Sequence, residues 1–347
     1  MLNDPDNQPL DIEQPEALLH YLRTTGRIGP SEQPTLRVLA GGVSNRTVLV
    51  ERPGGEAWVL KQALAKLRVK VDWFSDPVRI EREAEGLRWL DRLLQQVIPG
   101  AITPLVFEDR DHHLLAMQAV PQPHENWKTM LLAGRVEPEH VRQFASLLGT
   151  IHREASRRAG EVAAAFDDRS FFETLRLEPY YRYTASQVSQ ARPFLSHLLH
   201  ETVRRRHTLV HGDYSPKNIL VHHGRLILLD HEVIHWGDPA FDLGFAFTHL
   251  LSKAHHLPSH REAFADAARL FWRTYQQALG DLPWRGDLEW HAVCHTLGCM
   301  LARVAGRSPL EYLNEQERSR QRDAVVALMD RRPQTMDSLI TDFLARL

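Results

Sequence analysis

The stretch His211-Gly212-Asp213-Tyr214-Ser215-Pro216-Lys217-Asn218, with the apolar run after it that ends at Asp230, holds the side chains of this chain best placed to do chemistry. Residues 218–222 and 225–229 read as two apolar strands around the turn His222-His223-Gly224. An antiparallel hairpin brings its two ends together, so Asn218 and Asp230 face one spot. An amide oxygen and a carboxylate are ligands that a hard cation such as Mg2+ takes. Asp213 precedes Asn218 by five residues, in a loop containing Pro216, and can reach the same spot without belonging to the hairpin. Its natural role there is a base that accepts a hydroxyl proton. Glu232, just past Asp230, is a further candidate metal carboxylate. The bland alternative is a surface hairpin with polar ends, and the complete spacing argues against it.

The N-terminal third supplies matching parts. Gly41-Gly42-Val43-Ser44-Asn45 lies between two expected strands. Glycines there let the backbone approach a ligand, and Ser44 and Asn45 can donate to phosphate oxygens, although a lone Gly-Gly turn is more often just a turn. Lys61, in Trp-Val-Leu-Lys-Gln-Ala, sits on a strand, where an isolated lysine points to solvent. Here the next helix offers a partner. At 100° per residue, Ile80, Ala84, Leu87, Leu90 and Leu94 form one apolar stripe. Glu83 falls inside that stripe, whereas Glu81 and Glu85 fall opposite. A carboxylate on a buried face needs a partner, and Lys61 is the candidate.

Elements of several kinds must position these groups. A first helix is expected over residues 12–25, then strands at 35–39, 46–51 and 57–62, a helix from about 78 to 95, and strands at 105–108 and 114–118. Pro121-Gln122-Pro123 then breaks the chain. Beyond it helices are expected at 126–133, 138–157, 179–204, 239–253, 259–280, 284–305, 315–331 and 335–346, interrupted by the β island 208–230. The expectation is an α+β chain of two lobes: residues 1–118 as a β-rich lobe and 119–347 as a larger helical lobe that carries the hairpin.

Lys plus Arg number 42 and Asp plus Glu 44, for a net charge of −2. That balance argues against a general nucleic-acid binder, which needs a basic excess. Two cysteines, Cys294 and Cys299, exclude a disulfide framework and make a reducing, cytoplasmic setting the default. The start, Met-Leu-Asn-Asp-Pro-Asp, lacks the basic and apolar regions of a signal peptide. The longest apolar run, 241–251, is broken by Asp242 and His249. It falls well short of the roughly 20 residues a membrane helix needs, so no membrane association is expected.

With these residues in view, the chain resembles the small-molecule kinases related to aminoglycoside phosphotransferases, choline kinases and methylthioribose kinases. The resemblance runs from about Thr35 to the final helices, and His211-Gly212-Asp213 with Pro216 and Asn218 carries it most strongly. Asp230 followed by Gly237-Asp238-Pro239 and Asp242 comes next. It implies a two-lobed protein-kinase-like fold, with an antiparallel sheet and one helix in the nucleotide-binding lobe and the catalytic hairpin in the helical lobe. It implies ATP and Mg2+ as cofactors and a small-molecule hydroxyl as acceptor. By the same resemblance Asp213 is the catalytic base, and Asn218 and Asp230 bind Mg2+. Lys61 meets the ATP phosphates and pairs with Glu83. Met117 to Val120, with Gln118 between, form the adenine hinge, and Asp238 and Asp242 anchor the loop through backbone amides. Lys61-Gln62-Ala63-Leu64 with Arg68 and Trp73, and the Asp230-His231-Glu232 pattern, are similar to methylthioribose kinases and give Glu232 a metal role. Ser215, Asn218 and the single Arg303 near 301–306 depart from them, so the acceptor stays open among sugars, amino alcohols and aminoglycoside-like compounds.

Trp127 and Arg303 are candidate acceptor contacts, with a core aromatic as the alternative for Trp127. Lys66, Arg68 and Lys70 read either as a rim over the nucleotide or as a solvated strand edge. His291, Cys294, His295 and Cys299 carry zinc-type donors on one expected helix, without a second cluster to complete a site. Two other functions compete: a nucleotide-binding pseudokinase scaffold, which has no need of Lys61, Asp213, Asn218 and Asp230 together, and a protein kinase, for which the short run from Asp230 to Asp242 leaves little peptide-binding surface. The expected assembly is a monomer or homodimer.

Overall fold

A computed structural model of the chain describes residues 10–40, 42–68 and 72–347. Gly41 of the glycine turn and Lys70 of the basic stretch lie outside the described residues. The chain divides into two compact units, Met1–Arg88 with Thr103–Val120, and Trp89–Ile102 with Pro121–Leu347.

The first unit opens with α1 (Pro15–Thr24), which starts on a proline and carries Glu16 in its first turn. Both features suit a helix N-terminus: the proline has no N–H to leave unsatisfied, and the carboxylate faces the positive end of the dipole. Strands β1 (Thr35–Val38), β2 (Asn45–Glu51) and β3 (Ala57–Ala63) follow, then α2 (Arg79–Leu94), whose residues from Trp89 on count with the second unit, β4 (Leu105–Asp109) and β5 (Leu114–Gln118). The five strands form one antiparallel sheet in the order β1-β2-β3-β5-β4. Side chains alternate along β3. Trp58 and Leu60 join Leu18, Tyr21 and Leu22 of α1 and Val48 and Val50 of β2 in the core. Lys61 therefore points to the other face of the sheet. Arg68 makes a two-pronged ion pair with Glu13 at 2.8 and 2.6 Å, and Lys66 pairs with Asp72 at 2.7 Å.

The second unit contains β6 (His124–Asn126), α3 (Trp127–Leu132), α4 (Pro138–Arg157), α5 (Ala159–Phe166) and α6 (Ser170–Phe172). The last runs on through a π-helical stretch, Glu173–Arg182, into α7 (Tyr183–Gln187), and α8 (Arg192–Arg204) follows. Then come β7 (Thr208–Val210), β8 (Ile219–His222), β9 (Arg225–Leu228) and β10 (His235–Gly237). Helices α9 (Pro239–His256), α10 (Arg261–Leu279), α11 (Leu288–Ala305), α12 (Glu315–Asp330) and α13 (Met336–Leu344) complete it. β6, β8 and β9 form one antiparallel sheet, and β7 pairs with β10 in another. α9 is buried along almost its whole length, as an all-round apolar helix must be. No helix among the described residues is long and apolar enough to cross a membrane.

The helix expected over 179–204 is broken instead. Val188 is extended, and Pro193 opens α8 in its first turn. Upstream, Pro179, which has no N–H to donate, lies inside the π-helical stretch. β6 and β10 escape sequence reading because each has three residues, too few for alternation to show. α3 starts at Trp127 because Asn126 caps it, its side chain accepting the Lys128 N–H at 3.1 Å.

Candidate active site

The hairpin forms with the register its sequence implies. Ile219 faces Leu228 and His222 faces Arg225, and the Leu229 N–H donates to the Asn218 carbonyl at 2.9 Å. Asn218 and Asp230 therefore flank the same hairpin end. Asp230 has φ +70°, the left-handed region that Asp tolerates better than most residues but that still costs energy. Such strain clusters where geometry serves a site.

Asp213 is 7% exposed, in the loop after β7. Its Oδ2 takes the Asn218 amide at 2.7 Å and faces the Arg176 guanidinium at 3.1 Å and the Lys217 ammonium at 3.7 Å. Among the described residues no donor hydrogen-bonds to Oδ1. One carboxylate oxygen is thus fixed and the other is left to act. Burial pushes this carboxyl up, but the charges of Arg176 and Lys217 and the Asn218 amide outweigh it and hold it below its usual range. Asp213 is ionised at neutral pH. Asn218 spends its NH2 on Asp213, on both the carboxylate and, at 3.0 Å, the main-chain carbonyl, which leaves Oδ1 as the amide's acceptor.

The loop itself hangs on Asp242 at the start of α9. Its two oxygens accept the His211 N–H at 2.7 Å and the Gly212 N–H at 2.8 Å, and His152 lies 3.3 Å away. Gly212 is in the left-handed region at φ +77°, and a Cβ there would come within 2.9 Å of the Val233 carbonyl. Only glycine fits. The Asp213 N–H donates to His211 Nδ1 at 3.2 Å, and burial pushes the His211 imidazolium down, so the ring is a neutral acceptor. Asp238 caps α9 through the Ala240 N–H at 3.0 Å. Both aspartates that the sequence marked as anchors bond backbone amides.

In the first unit, Lys61 and Glu83 meet at 2.6 Å, with Glu83 fully buried. Glu83 is the carboxylate that the helical stripe singled out. Removing it takes a 2.6 Å carboxylate partner from a largely buried ammonium. Glu83→Ala is expected to destabilise the protein by about 3 kcal/mol, and Lys61→Met in the same chain to recover most of that, because the cost lies in the ammonium that loses this partner. Urea unfolding of the single and double variants measures both; a double variant no more stable than Glu83→Ala contradicts it. Gly42 and Ser44 lie in the bend that leads into β2, and Asn45 opens that strand. A Cβ on Gly42 would lie 2.9 Å from the Asn45 carbonyl, and the buried Arg79 of α2 grips the Ser44 carbonyl. Ser44 and Asn45 are buried and bonded to each other at 3.3 Å. At the end of β5 the Gln118 N–H donates to the Pro104 carbonyl, and a proline has no N–H to return to the Gln118 carbonyl. The Ala119 N–H goes to Ala57, and Val120 is buried beside it.

Glu232 is buried, and its charge acts on the Arg176 guanidinium together with those of Asp213 and Asp230. Mg2+ takes only one or two protein carboxylates, with water and phosphate oxygens filling the rest. Among the described residues no three His, Cys, Asp or Glu side chains cluster as a metal site, so a cation here fits only that sparse pattern. Asn218 Oδ1 and Asp230 suit it.

Two acceptor candidates part ways. Trp127 is 0% exposed, with its ring edge-on to Phe144 at 4.8 Å, so its face is core and offers nothing to a ligand. Arg303 is half-buried, bonded to Tyr180 Oη at 3.1 Å and to Ser308 at 2.6 and 2.8 Å. Among the zinc-type donors, His295 and Cys299 both contact Tyr181 Oη, at 2.7 and 3.4 Å. Sequence reading missed Arg176, which lies in the π-helical stretch where no periodicity announces an element, and it passed over Lys217 inside the motif it had recognised.

A family model described as APH, phosphotransferase enzyme family, matches residues 35–285. Among solved structures, macrolide 2'-phosphotransferase MphH from Brachybacterium faecium is 19% identical, with 89% of this chain and 98% of that one covered and a TM-score of 0.54. Amicoumacin kinase hAmiN, in complex with AMP-PNP, Ca2+ and Ami, is 16% identical, with 91% and 94% covered and a TM-score of 0.57. ADP-bound aminoglycoside phosphotransferase APH(2'')-Ib is 15% identical, with 91% and 99% covered and a TM-score of 0.52. At these identities the likeness shows a shared fold, the two-lobed protein-kinase-like α+β architecture. No curated protein sequence matches the chain.

Proposed function

We propose, since this chain belongs to the phosphotransferase enzyme family and is a small-molecule phosphotransferase, that it is an ATP- and Mg2+-dependent kinase in which Asp213 is the base. One observation carries the reading: Asp213 has one oxygen held by Asn218, Arg176 and Lys217 and the other uncommitted. A hydroxyl at Oδ1 is oriented by a fixed, ionised carboxylate. Its oxygen bonds to the γ-phosphorus as the bond from that phosphorus to the β–γ bridging oxygen breaks. The hydroxyl proton passes to Asp213 Oδ1, and ADP leaves.

Mg2+, held by Asn218 Oδ1, Asp230 and Glu232, supplies positive charge against the phosphate oxygens when bound. Gly42, Ser44 and Asn45 line the phosphates, and Lys61, aimed by Glu83, meets them as an ammonium. The Gln118 carbonyl and the Val120 N–H take the adenine. Residues 1–118 then serve as the nucleotide lobe and 119–347 as the catalytic and acceptor lobe, in a cytoplasmic monomer or homodimer acting on a sugar, amino alcohol or aminoglycoside-like hydroxyl.

Thermal unfolding tests the nucleotide half. Mg-ATP at about 100 times its Kd stabilises the protein by roughly 2.7 kcal/mol, several degrees for a domain of this size. Asp230→Asn is expected to erase the part of that rise that depends on Mg2+. Equal shifts with Mg2+ and with a chelator would overturn the metal assignment.

A further inference from the structure

A series of basic and aromatic side chains leads away from Asp213 within the second unit, and its far members, Arg303 and Lys253, have no carboxylate within 4 Å among the described residues. Arg176 lies 3.1 Å and Lys217 3.7 Å from Asp213. The Arg176 guanidinium sits 6.0 Å from the Phe245 ring, which is 5.7 Å from the Tyr180 ring. Tyr180 in turn carries Arg303, hydrogen-bonded to its hydroxyl and 5.9 Å over its ring. On α9, Phe245, His249 and Lys253 follow one another four residues apart, so they share a face. The Phe245 and His249 rings are 5.2 Å apart, and the Lys253 ammonium donates to the His249 carbonyl at 3.1 Å. Lys217 is 54% exposed and Lys253 0%, so the series runs from solvent into the interior.

Lys253 is the anomaly. Among the described residues no carboxylate lies within 4 Å of its ammonium, which has only a carbonyl and the Tyr312 ring face, 5.2 Å away. The Tyr312 hydroxyl is buried beside it without a hydrogen-bond partner. Glu311, whose negative charge acts on this ammonium, is spent on Lys128. A buried ammonium without an anion is costly unless it gives up its proton or gains a counter-charge. Burial, with the charges of Lys128 and Arg303 and against that of Glu311, pushes this ammonium down to about 7. An arriving anion reverses that push.

We infer that the acceptor carries an anionic group, a carboxylate or a phosphate monoester, read by Arg303 and Lys253 while its hydroxyl lies at Asp213. This rests on the kinase reading above. Of the acceptor classes proposed above this selects the sugars in acidic or phosphorylated form, and cationic acceptors such as aminoglycosides or choline-like amines are poor substrates, repelled by the same series of charges.

The test compares matched acceptors with Mg-ATP: glycerol, glycerate and glycerol phosphate; ribose, ribonate and ribose phosphate; choline and an aminoglycoside. The anionic members are expected to exceed their neutral parents in kcat/KM by about tenfold or more, the worth of one charge-assisted contact. The acid and phosphate arms identify which anion is read. Lys253→Met keeps the volume and removes the charge, and it is expected to lower the anionic-to-neutral ratio about tenfold, mainly through KM. The ratio cancels any general loss from altered folding. A neutral or cationic preference, or a ratio unchanged in Lys253→Met, overturns the inference and leaves the kinase standing. If no acceptor is phosphorylated, the kinase reading fails. The inference then stands or falls on whether the anionic compounds alone raise the melting temperature of the wild type and not of Lys253→Met.

Discussion

Asp213→Asn is expected to lower turnover about 10²–10⁴-fold, the usual worth of a positioned general base. That is about 3–5 kcal/mol in the barrier. The geometry says why the loss falls on chemistry. In the native loop Oδ2 receives Asn218, Arg176 and Lys217, and all three are donors. An asparagine must therefore turn its carbonyl oxygen toward them and set its NH2 where Oδ1 stood. The loop keeps its hydrogen bonds and the hydroxyl meets a donor in place of a base. Nucleotide affinity is expected to stay within about threefold, because the change removes an interaction made to the acceptor. Paired measurements of kcat and of ATP binding check this; a fall in affinity as large as the fall in kcat would show that Asp213 serves binding.

The second large effect concerns a residue that touches no substrate. Asp242→Ala removes the acceptor for two buried N–H groups, those of His211 and Gly212, and takes a partner from His152. Each stranded group costs about 1–3 kcal/mol, so the variant is expected to lose roughly 2–6 kcal/mol. That is a large share of the 5–15 kcal/mol typical of a folded domain. The melting temperature is expected to fall by at least about 5 °C. Catalysis falls further than stability alone explains, since the same N–H groups fix the peptide that carries Asp213. Activity measured well below the variant's melting point separates the two losses. A variant that melts like the wild type contradicts the anchoring role.

The two outcomes bear on how much the residues alone could say. The hairpin around His222-His223-Gly224 was legible because turn chemistry and alternation act locally, and its closure follows from the antiparallel geometry of its ends. The pairing of Lys61 with Glu83 was legible for a different reason: a carboxylate in an apolar stripe announces a partner, and the structure places the two at 2.6 Å. What failed to show was burial set by distant segments. Trp127 looks the same in sequence whether its face meets a ligand or Phe144, and only the packing of α3 on α4 decides for Phe144. Lys253 reads as an ordinary charged residue in the last turn of a helix, yet α9 is enclosed almost to its end. Arg176 stands in a π-helical stretch whose register no 3.6-residue pattern matches, although it lies against Asp213.

Phosphorus NMR of the protein incubated with Mg-ATP and the acceptor panel, run in parallel on the wild type and Asp213→Asn, follows donor and product together. The wild type is expected to convert ATP to ADP with the stoichiometric appearance of a phosphomonoester on one acceptor, and Asp213→Asn, still binding ATP, to form neither at a comparable rate. Product formed equally by both proteins would contradict it, because the uncommitted oxygen of Asp213 would then have no part in the transfer.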